Sequence, residues 1–580
     1  MGKFHILAVI LACVAQVTSR AATFYVNVSN TAPVAPYSGW PSAATNIQDA
    51  IDAASDNDLI LVTNGLYATG GRVVYGTLTN RVVINKVVTV QSVNGPAVTV
   101  IQGYQVPSGS TAYTNDIRCV YMTNNTVLNG FTITGGSALA SSGGNNATFA
   151  NSVLSGGGVF CETTNSIVIT NCILCGNLCV SGDSSTGGGA VYQGTLWSCT
   201  ISNNLVATNG TSYGVNGGGA YRSILNNCLI ISNSASFGGG ASFCTLTNCP
   251  VIGNIAPNYG STSWGGGTFG CTAYHCLIAG NVSTTIGGGD CYGQLFYCVL
   301  SNNVCISPAF VANGGGSYRP MLNNCLVVSN YCYGDGGGVY YGSGGGFSSL
   351  TNCTIVGNTA TNQGGGVYDG VLNNTIVYGN YCPSRYSASS NTFTTTLISC
   401  WTNDPLYLNP TAGDYHLQSS SPCINAGKNA YVTLTNDLDG NPRIVGGTVD
   451  IGAFEYQTPA SIISYAWLEQ YGLPVDGSAD YADTDHTGMN NWQKWIAGLN
   501  PTNPASLLVM QPLTATNNAG GIKVSWQSVN TRSYYLQRST DLTQPFPVLQ
   551  SNLVGQTGTT SYTDSTATNA SPYYYRVGVQ

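Results

Sequence analysis

Between Gly156 and Cys400 the only charged side chains are Glu162, Asp183, Arg222, Asp290, Arg319, Asp335, Asp369 and Arg385. Acid–base chemistry needs a proton donor or acceptor about 3 Å from the reacting atom, and glycosidic cleavage by paired acids needs carboxyl groups roughly 5 to 9.5 Å apart. By position in the repeat described below, the densest grouping is Asp290, Tyr292, Tyr318, Arg319 and Asp335. Asp290, Tyr318, Arg319 and Asp335 are therefore the candidate catalytic residues. Arg222 and Arg319 share a column, six residues before a cysteine, but four coils separate them, or roughly 19 Å at the parallel-strand spacing. Single charges scattered over a solvated surface are the competing account. A second set is aromatic: Tyr213, Tyr259, Trp264, Phe310, Tyr331 and Tyr333 fall on segments of variable length, where rings stack on sugars or anchor a protein, or simply pack a loop onto its support.

The elements that must position these residues come from an internal repeat. Triple glycines begin at Gly156, Gly187, Gly217, Gly238, Gly265, Gly287, Gly314, Gly336, Gly344 and Gly364, and each is followed by a short aliphatic run. Aligning Cys172, Cys199, Cys228, Cys249, Cys276, Cys298, Cys325, Cys353 and Thr375 places Asn five residues later in every rung, from Asn177 to Asn380. Two residues after the cysteine column the side chain is always Leu, Ile or Val. Such alternation is a strand signal, and no helical stripe develops. Short strands with one face to bury and no hairpin partner bury it by stacking coil on coil, which predicts a parallel β-helix of about a dozen coils. Stacked asparagine amides then bond from coil to coil, and Asn tolerates the left-handed bends such coils need. Cysteine alternates with Ala and Ser in its columns, as a small buried hydrophobe would; an adjacent-coil disulfide ladder and a zinc site at Cys172-Ile-Leu-Cys175 are the other readings.

The chain has 580 residues, only 7% of them charged against about 25% in an ordinary domain. A net charge of -7 with no Lys/Arg cluster leaves nothing to neutralise phosphates, so nucleic acid and anionic membranes are poor partners. Lys3 precedes an apolar run from Phe4 to Val14, and Ser19-Arg20-Ala21 suits cleavage after Ala21. Residues 1–21 read as a signal peptide, which implies a secreted or cell-surface protein. No later stretch approaches a transmembrane span.

The repeat resembles the pectin lyase-like superfamily of right-handed parallel β-helices, which includes polysaccharide lyases, glycoside hydrolases and adhesins. The likeness covers about residues 46–456 and places a helical cap at Ile47, Ala50, Ile51 and Ala54. Asp404-Pro405-Leu406, Gly413-Asp414-Tyr415-His416-Leu417, Ser421-Pro422-Cys423-Ile424-Asn425-Ala426-Gly427, Asp437-Leu438-Asp439-Gly440-Asn441-Pro442-Arg443 and Val449-Asp450-Ile451-Gly452-Ala453-Phe454-Glu455-Tyr456 resemble the choice-of-anchor Q region of exported bacterial proteins. Residues 22–456 are thus expected to form the β-helix, with 404–456 as its C-terminal cap. Asp437, Asp439, Arg443, Asp450 and Glu455 are expected to form a salt-bridged, hydrogen-bonded network there rather than a catalytic site. No run resembles the superfamily's hydrolase acids or its calcium-binding lyase motifs.

Residues 457–506 form a small helical linker. Asp483, Asp485, Thr487, Gly488 and Asn491 fall at positions 1, 3, 5, 6 and 9 of a calcium loop, and they resemble the calcium-loop linkers of secreted proteins. Lys494 stands where a bidentate Glu belongs, so calcium in the 483–494 loop is a possible but not a required cofactor. Residues 507–580 alternate as short strands and resemble a fibronectin type III β-sandwich, a possible site for a protein partner. The resulting expectation is an exported β-helix that binds a polysaccharide or cell-surface glycan through loops on one edge, without an evident catalytic site. The alternative is a polysaccharide lyase or glycoside hydrolase with an atypical site.

Overall fold

The computed structural model describes residues 21–106, 115–139, 154–181, 185–208, 214–258, 262–307, 312–342, 349–383, 391–512, 521–567 and 572–580. The chain forms two compact units, Met1–Gly293 and Gln294–Gln580. In the first, short parallel strands pair coil by coil in three long sheets with shorter ones beside them, the architecture of a parallel β-helix. One coil runs Ala220–Tyr221 in the third sheet, Ile224–Asn226 in the first and Leu229–Ile231 in the second. The next coil repeats it in register, with Ala220 opposite Ala241, Leu225 opposite Leu246 and Ile230 opposite Val251.

Each corner is one residue in the left-handed region, as at Arg222 (φ 55°), Asn227 (φ 52°) and Ser232 (φ 56°). Leu225, Ile230, Leu246 and Val251 fill the interior completely buried. The amides of Asn177, Asn204, Asn233, Asn254 and Asn281 form a continuous ladder, each Nδ2 donating to the next Oδ1 at 2.9–3.0 Å. The left-handed conformation expected of these asparagines belongs instead to the residue before each, such as Asn203 or Gly253. The ladder Asn bridges coils through both side chain and backbone, its own N–H also donating to the next Oδ1 at 2.9–3.1 Å.

The triple glycines have a steric cause. Gly217 takes φ 57°, and a Cβ on Gly218 would lie 2.3 Å from the Gly239 carbonyl oxygen and 2.5 Å from backbone atoms of Ser234. Only bare backbone passes between the stacked coils there. The cysteines among the described residues are free thiols, buried except for the partly exposed Cys175 and Cys400. They stack without bonding to one another covalently, the Cys199 N–H pointing at Cys228 Sγ and the Cys228 N–H at Cys249 Sγ, each at 3.4 Å. At the N-terminal side the helix Ile47–Ala53 is capped by Asn46 Oδ1, which accepts the Asp49 N–H at 2.8 Å, and buries Ile47, Ala50 and Ile51.

The second unit continues the same coil plan, with Leu322 opposite Leu350, Val327 opposite Ile355 and Tyr340 opposite Tyr368. Segment 404–456 packs against the outward face of the second sheet: Leu326, Val328, Val356 and Ile376 form one cluster with Tyr407, Leu417, Ile424, Ile451 and Phe454. It clasps the coils from the side. Asn323 Nδ2 donates to Thr433 Oγ1 at 2.8 Å and Asn324 Nδ2 to the Asn436 carbonyl at 2.6 Å, which fixes the clasp along the corner between sheets.

Of the salt-bridged, hydrogen-bonded network expected inside the clasp, the hydrogen bonds are present, and the ion contact is made by Asp439 with His416 rather than with Arg443. Asp450 accepts the Asn425 and Tyr456 N–H groups, each at 2.7 Å, and Glu455 accepts those of Val445 and Asp450, each at 2.9 Å. Arg443 donates to the carbonyls of Asp450 and Gly452 rather than to a carboxylate. The acids serve as anchors for backbone N–H groups that the irregular chain leaves unpaired. Beyond the clasp, the helices Tyr465–Gln470 and Asn491–Ala497 make the linker, and five strands from Ile522 to Val579 make two antiparallel sheets around Val524, Trp526, Tyr534 and Leu536. Among the described residues no helix is long and apolar enough to cross a membrane.

Candidate functional site

The corner between the third and first sheets of the first unit carries a column of exposed aromatic residues. Its left-handed residues are Gln193 (φ 60°), Arg222 (φ 55°), Phe243 (φ 50°), Gly270 (φ 59°) and Tyr292 (φ 58°), one per coil. Phe243 is 49% and Tyr292 40% exposed. Gly270 makes room between them, since a Cβ there would meet the Phe243 ring at 2.8 Å.

Phe269 sits beneath, with Phe243 at 5.1 Å and 79° and Tyr292 at 6.2 Å and 76°, an edge-to-face run that holds both outer rings. Trp264 buttresses it at 5.6 Å from Phe269 and 5.9 Å from Tyr292. The Arg222 guanidinium lies 5.1 Å from the Tyr221 ring centre, against the Tyr192 and Tyr221 side chains, one coil before Phe243. The arrangement offers two fixed aromatic surfaces two coils apart, or about 9.5 Å, with one cation beside them. It can stack on the apolar faces of sugar rings and hydrogen-bond their hydroxyl or carboxylate groups.

The candidate catalytic residues are occupied in other ways. Asp290 is fully buried, its Oδ1 accepting the Thr268 hydroxyl at 2.8 Å and its Oδ2 the Gly293 N–H at 3.1 Å. In the second unit Arg319 Nε donates to the Tyr341 carbonyl at 2.8 Å, with its guanidinium 5.3 Å from the Tyr318 ring. Tyr318 opens a stack with Tyr340, Tyr368 and Phe393 at 5.3, 4.7 and 5.2 Å. Burial, reinforced by Tyr368, Tyr318 and Asp335 and opposed by Arg319, pushes the Tyr340 hydroxyl up to about 12, away from the range of a base. Asp335 accepts Asn362 Nδ2 at 2.7 Å, and burial raises its carboxyl above the usual range. The structure thus joins Tyr318 with Arg319, and uses Asp290 as a corner tie.

Of the aromatic candidates, Trp264 belongs to the platform and Tyr333 is an exposed ring on a turn of the second unit; Tyr213, Tyr259 and Phe310 lie outside the described residues. Phe243 and Phe269 escaped the sequence reading. The signal was present: Phe243, Gly270 and Tyr292 stand six residues before Cys249, Cys276 and Cys298, the same column that holds Arg222 and Arg319.

In the linker loop one candidate ligand is held by a different cation, and the others bond to neighbouring loop groups. Asp483 accepts the Thr487 N–H at 3.0 Å and the Gly488 N–H at 2.7 Å, and Asp485 Oδ1 accepts the Thr487 hydroxyl at 2.8 Å. Asp485 Oδ2 is ion-paired with the buried Lys494 ammonium. Asn491 is fully buried, with Nδ2 bonded to the Ala479 carbonyl and Thr484 hydroxyl and Oδ1 without a partner. The residues do not fit calcium: an ammonium holds the carboxylate that would bind it, and no bidentate acid stands at the last position.

No family model matches the chain, and no curated protein matches it. Solved structures do. Pectate lyase Pel9A aligns at 13% identity over 76% of this chain and 97% of its own, with TM-score 0.33. The polygalacturonase from Erwinia carotovora ssp. carotovora aligns at 10% over 66% and 96%, with TM-score 0.27. A rhamnogalacturonan lyase aligns at 11% over 78% and 100%, with TM-score 0.27. The likeness is one of parallel β-helix architecture.

Proposed function

We propose that this is an exported, surface-type β-helix protein that binds polysaccharide through the corner column Arg222, Phe243, Gly270 and Tyr292. The observation that carries the reading is the pair of large aromatic residues held exposed and in register in left-handed turns, where such residues are disfavoured. The leader-like residues 1–21 support export, and the choice-of-anchor Q-like motifs of 404–456 agree with a cell-surface or extracellular setting. The fibronectin type III-like sandwich serves as a spacer or a protein-binding unit.

The test is affinity electrophoresis through gels containing acidic or neutral polysaccharides, with the same panel assayed for unsaturated ends and reducing sugar. At least one polysaccharide should retard the protein without being consumed. Phe243→Ala and Tyr292→Ala should each weaken retention about tenfold, in line with the roughly 1 to 1.5 kcal/mol an aromatic contact supplies. Unchanged retention in both variants would sink the platform. Product formation that disappears in Arg319→Ala would replace the binding reading with a lyase or hydrolase.

A further inference from the structure

The loop at 483–494 has the spacing of a divalent-cation site and the wrong residue at its end. Lys494 is fully buried, and the side chain of Asp485 that pairs with it is 3% exposed. A buried carboxylate needs a compensating charge or it is expelled or neutralised. Here that charge arrives from the helix Asn491–Ala497, whose capping box, with Asn490 Oδ1 accepting the Gln493 N–H at 2.9 Å and Gln493 Oε1 the Asn490 N–H at 2.9 Å, fixes where Lys494 projects. The remaining oxygen in the set, Asn491 Oδ1, is buried and has no hydrogen-bond partner among the described residues.

We infer that the loop carries its own cation: the Lys494 ammonium takes the place of a divalent ion and locks the linker without metal. The charge arithmetic makes the substitution reversible. Lys494→Glu changes the local charge by minus two, which is the charge one calcium ion returns, and it restores the bidentate ligand at the position where such loops use it. The helix so fixed presents its C-terminal carbonyls to the β-sandwich, since Arg532 donates to the Ile496 carbonyl at 2.8 Å and the Trp495 carbonyl at 3.2 Å. A metal-independent lock therefore sets the join between linker and sandwich whatever the calcium level outside the cell.

The experiment uses the full chain, titrated with calcium chloride in a calorimeter, with limited proteolysis of the linker as the local readout in calcium and in chelator. The native chain should give no saturable calcium heat and the same cleavage rate in both. Lys494→Glu should gain saturable binding, at least tenfold above any native response, and be cut several-fold more slowly in calcium than in chelator. Lys494→Met, which keeps the bulk and loses the charge, should be cut faster in both. Saturable binding by the native chain that Asp483→Asn abolishes would overturn the inference, as would a Lys494→Glu linker indifferent to calcium. The β-helix is untouched by these variants, so polysaccharide retention should be unchanged and the two proposals fail separately.

Discussion

A left-handed backbone at an aromatic residue is costly because Cβ crowds the carbonyl, at roughly 1 kcal/mol or more per residue. Phe243 and Tyr292 meet that cost with ring contacts to Phe269 and, for Phe243, the open face of Gly270. Phe243→Asn should relieve the backbone while losing the ring, so the thermal midpoint should move by only a few degrees while polysaccharide retention falls about tenfold; a large loss of stability would mean that the ring serves packing. His416 poses a separate question of charge. Its Nδ1 lies 2.5 Å from Asp414 Oδ1 and its Nε2 2.5 Å from Asp439 Oδ2, so satisfying both contacts takes an imidazolium that donates twice. Partial burial opposes that charge, but Asp439 and Asp414 together raise the pKa above the usual 6.5. The stabilisation is therefore complete below about 6.5 and is lost as pH rises through the higher folded value. A proton NMR titration should place the His416 ring above 6.5, and Asp439→Asn should bring it down.

At the scale of the element, the asparagine ladder and the glycine triplets were legible from spacing alone, because a coil that repeats must repeat its corner chemistry. The left-handed residue was assigned one place too late, since Asn is used both for the bend, at Asn203, and for the ladder, at Asn204. The aromatic column was readable by the same count and was overlooked because charge, not shape, was followed along it. The clasp by 404–456 left no such trace: the outward second-sheet positions are Leu326 and Val328 beneath it, but they are equally apolar at Leu229 and Ile231 in the first unit, where they stay partly exposed. Asparagine and cysteine columns should respond differently to substitution. Asn254 donates to Asn281 Oδ1 and the Ile230 carbonyl, and its Oδ1 accepts the N–H and Nδ2 of Asn233. Asn254→Ala orphans several buried groups and should cost about 3 kcal/mol or more in denaturant unfolding, at 1 to 3 kcal/mol per group. Cys249→Thr should cost about 1 kcal/mol or less, because Thr375 already fills that column, its Oγ1 accepting the Cys353 N–H and donating to the Asn373 carbonyl.

For the molecule as a whole, stability against pH turns on acids buried without ionic partners. Desolvation raises Asp450 and Glu455 above the carboxylate range, against the pull of backbone N–H donors and Arg443. A carboxyl whose folded pKa is raised favours the folded chain while protonated, so its contribution is full below about pH 4 and is lost as pH climbs through the folded values. Asp564 works the other way. Burial raises it, but Thr566, Arg538 and Tyr575 more than offset that, so its contribution holds above about pH 4 and is lost on acidification. The second unit should therefore be most stable in mildly acid solution, limited on the acid side by Asp564 and on the alkaline side by Glu455, Asp450 and His416. Glu455→Gln keeps one acceptor and removes the titration, so unfolding free energy measured from pH 5 to 8 should fall less steeply in the variant than in the native chain. Parallel slopes would mean that Glu455 is ionised throughout that range and that Arg443, buried beside it, compensates its charge across the gap.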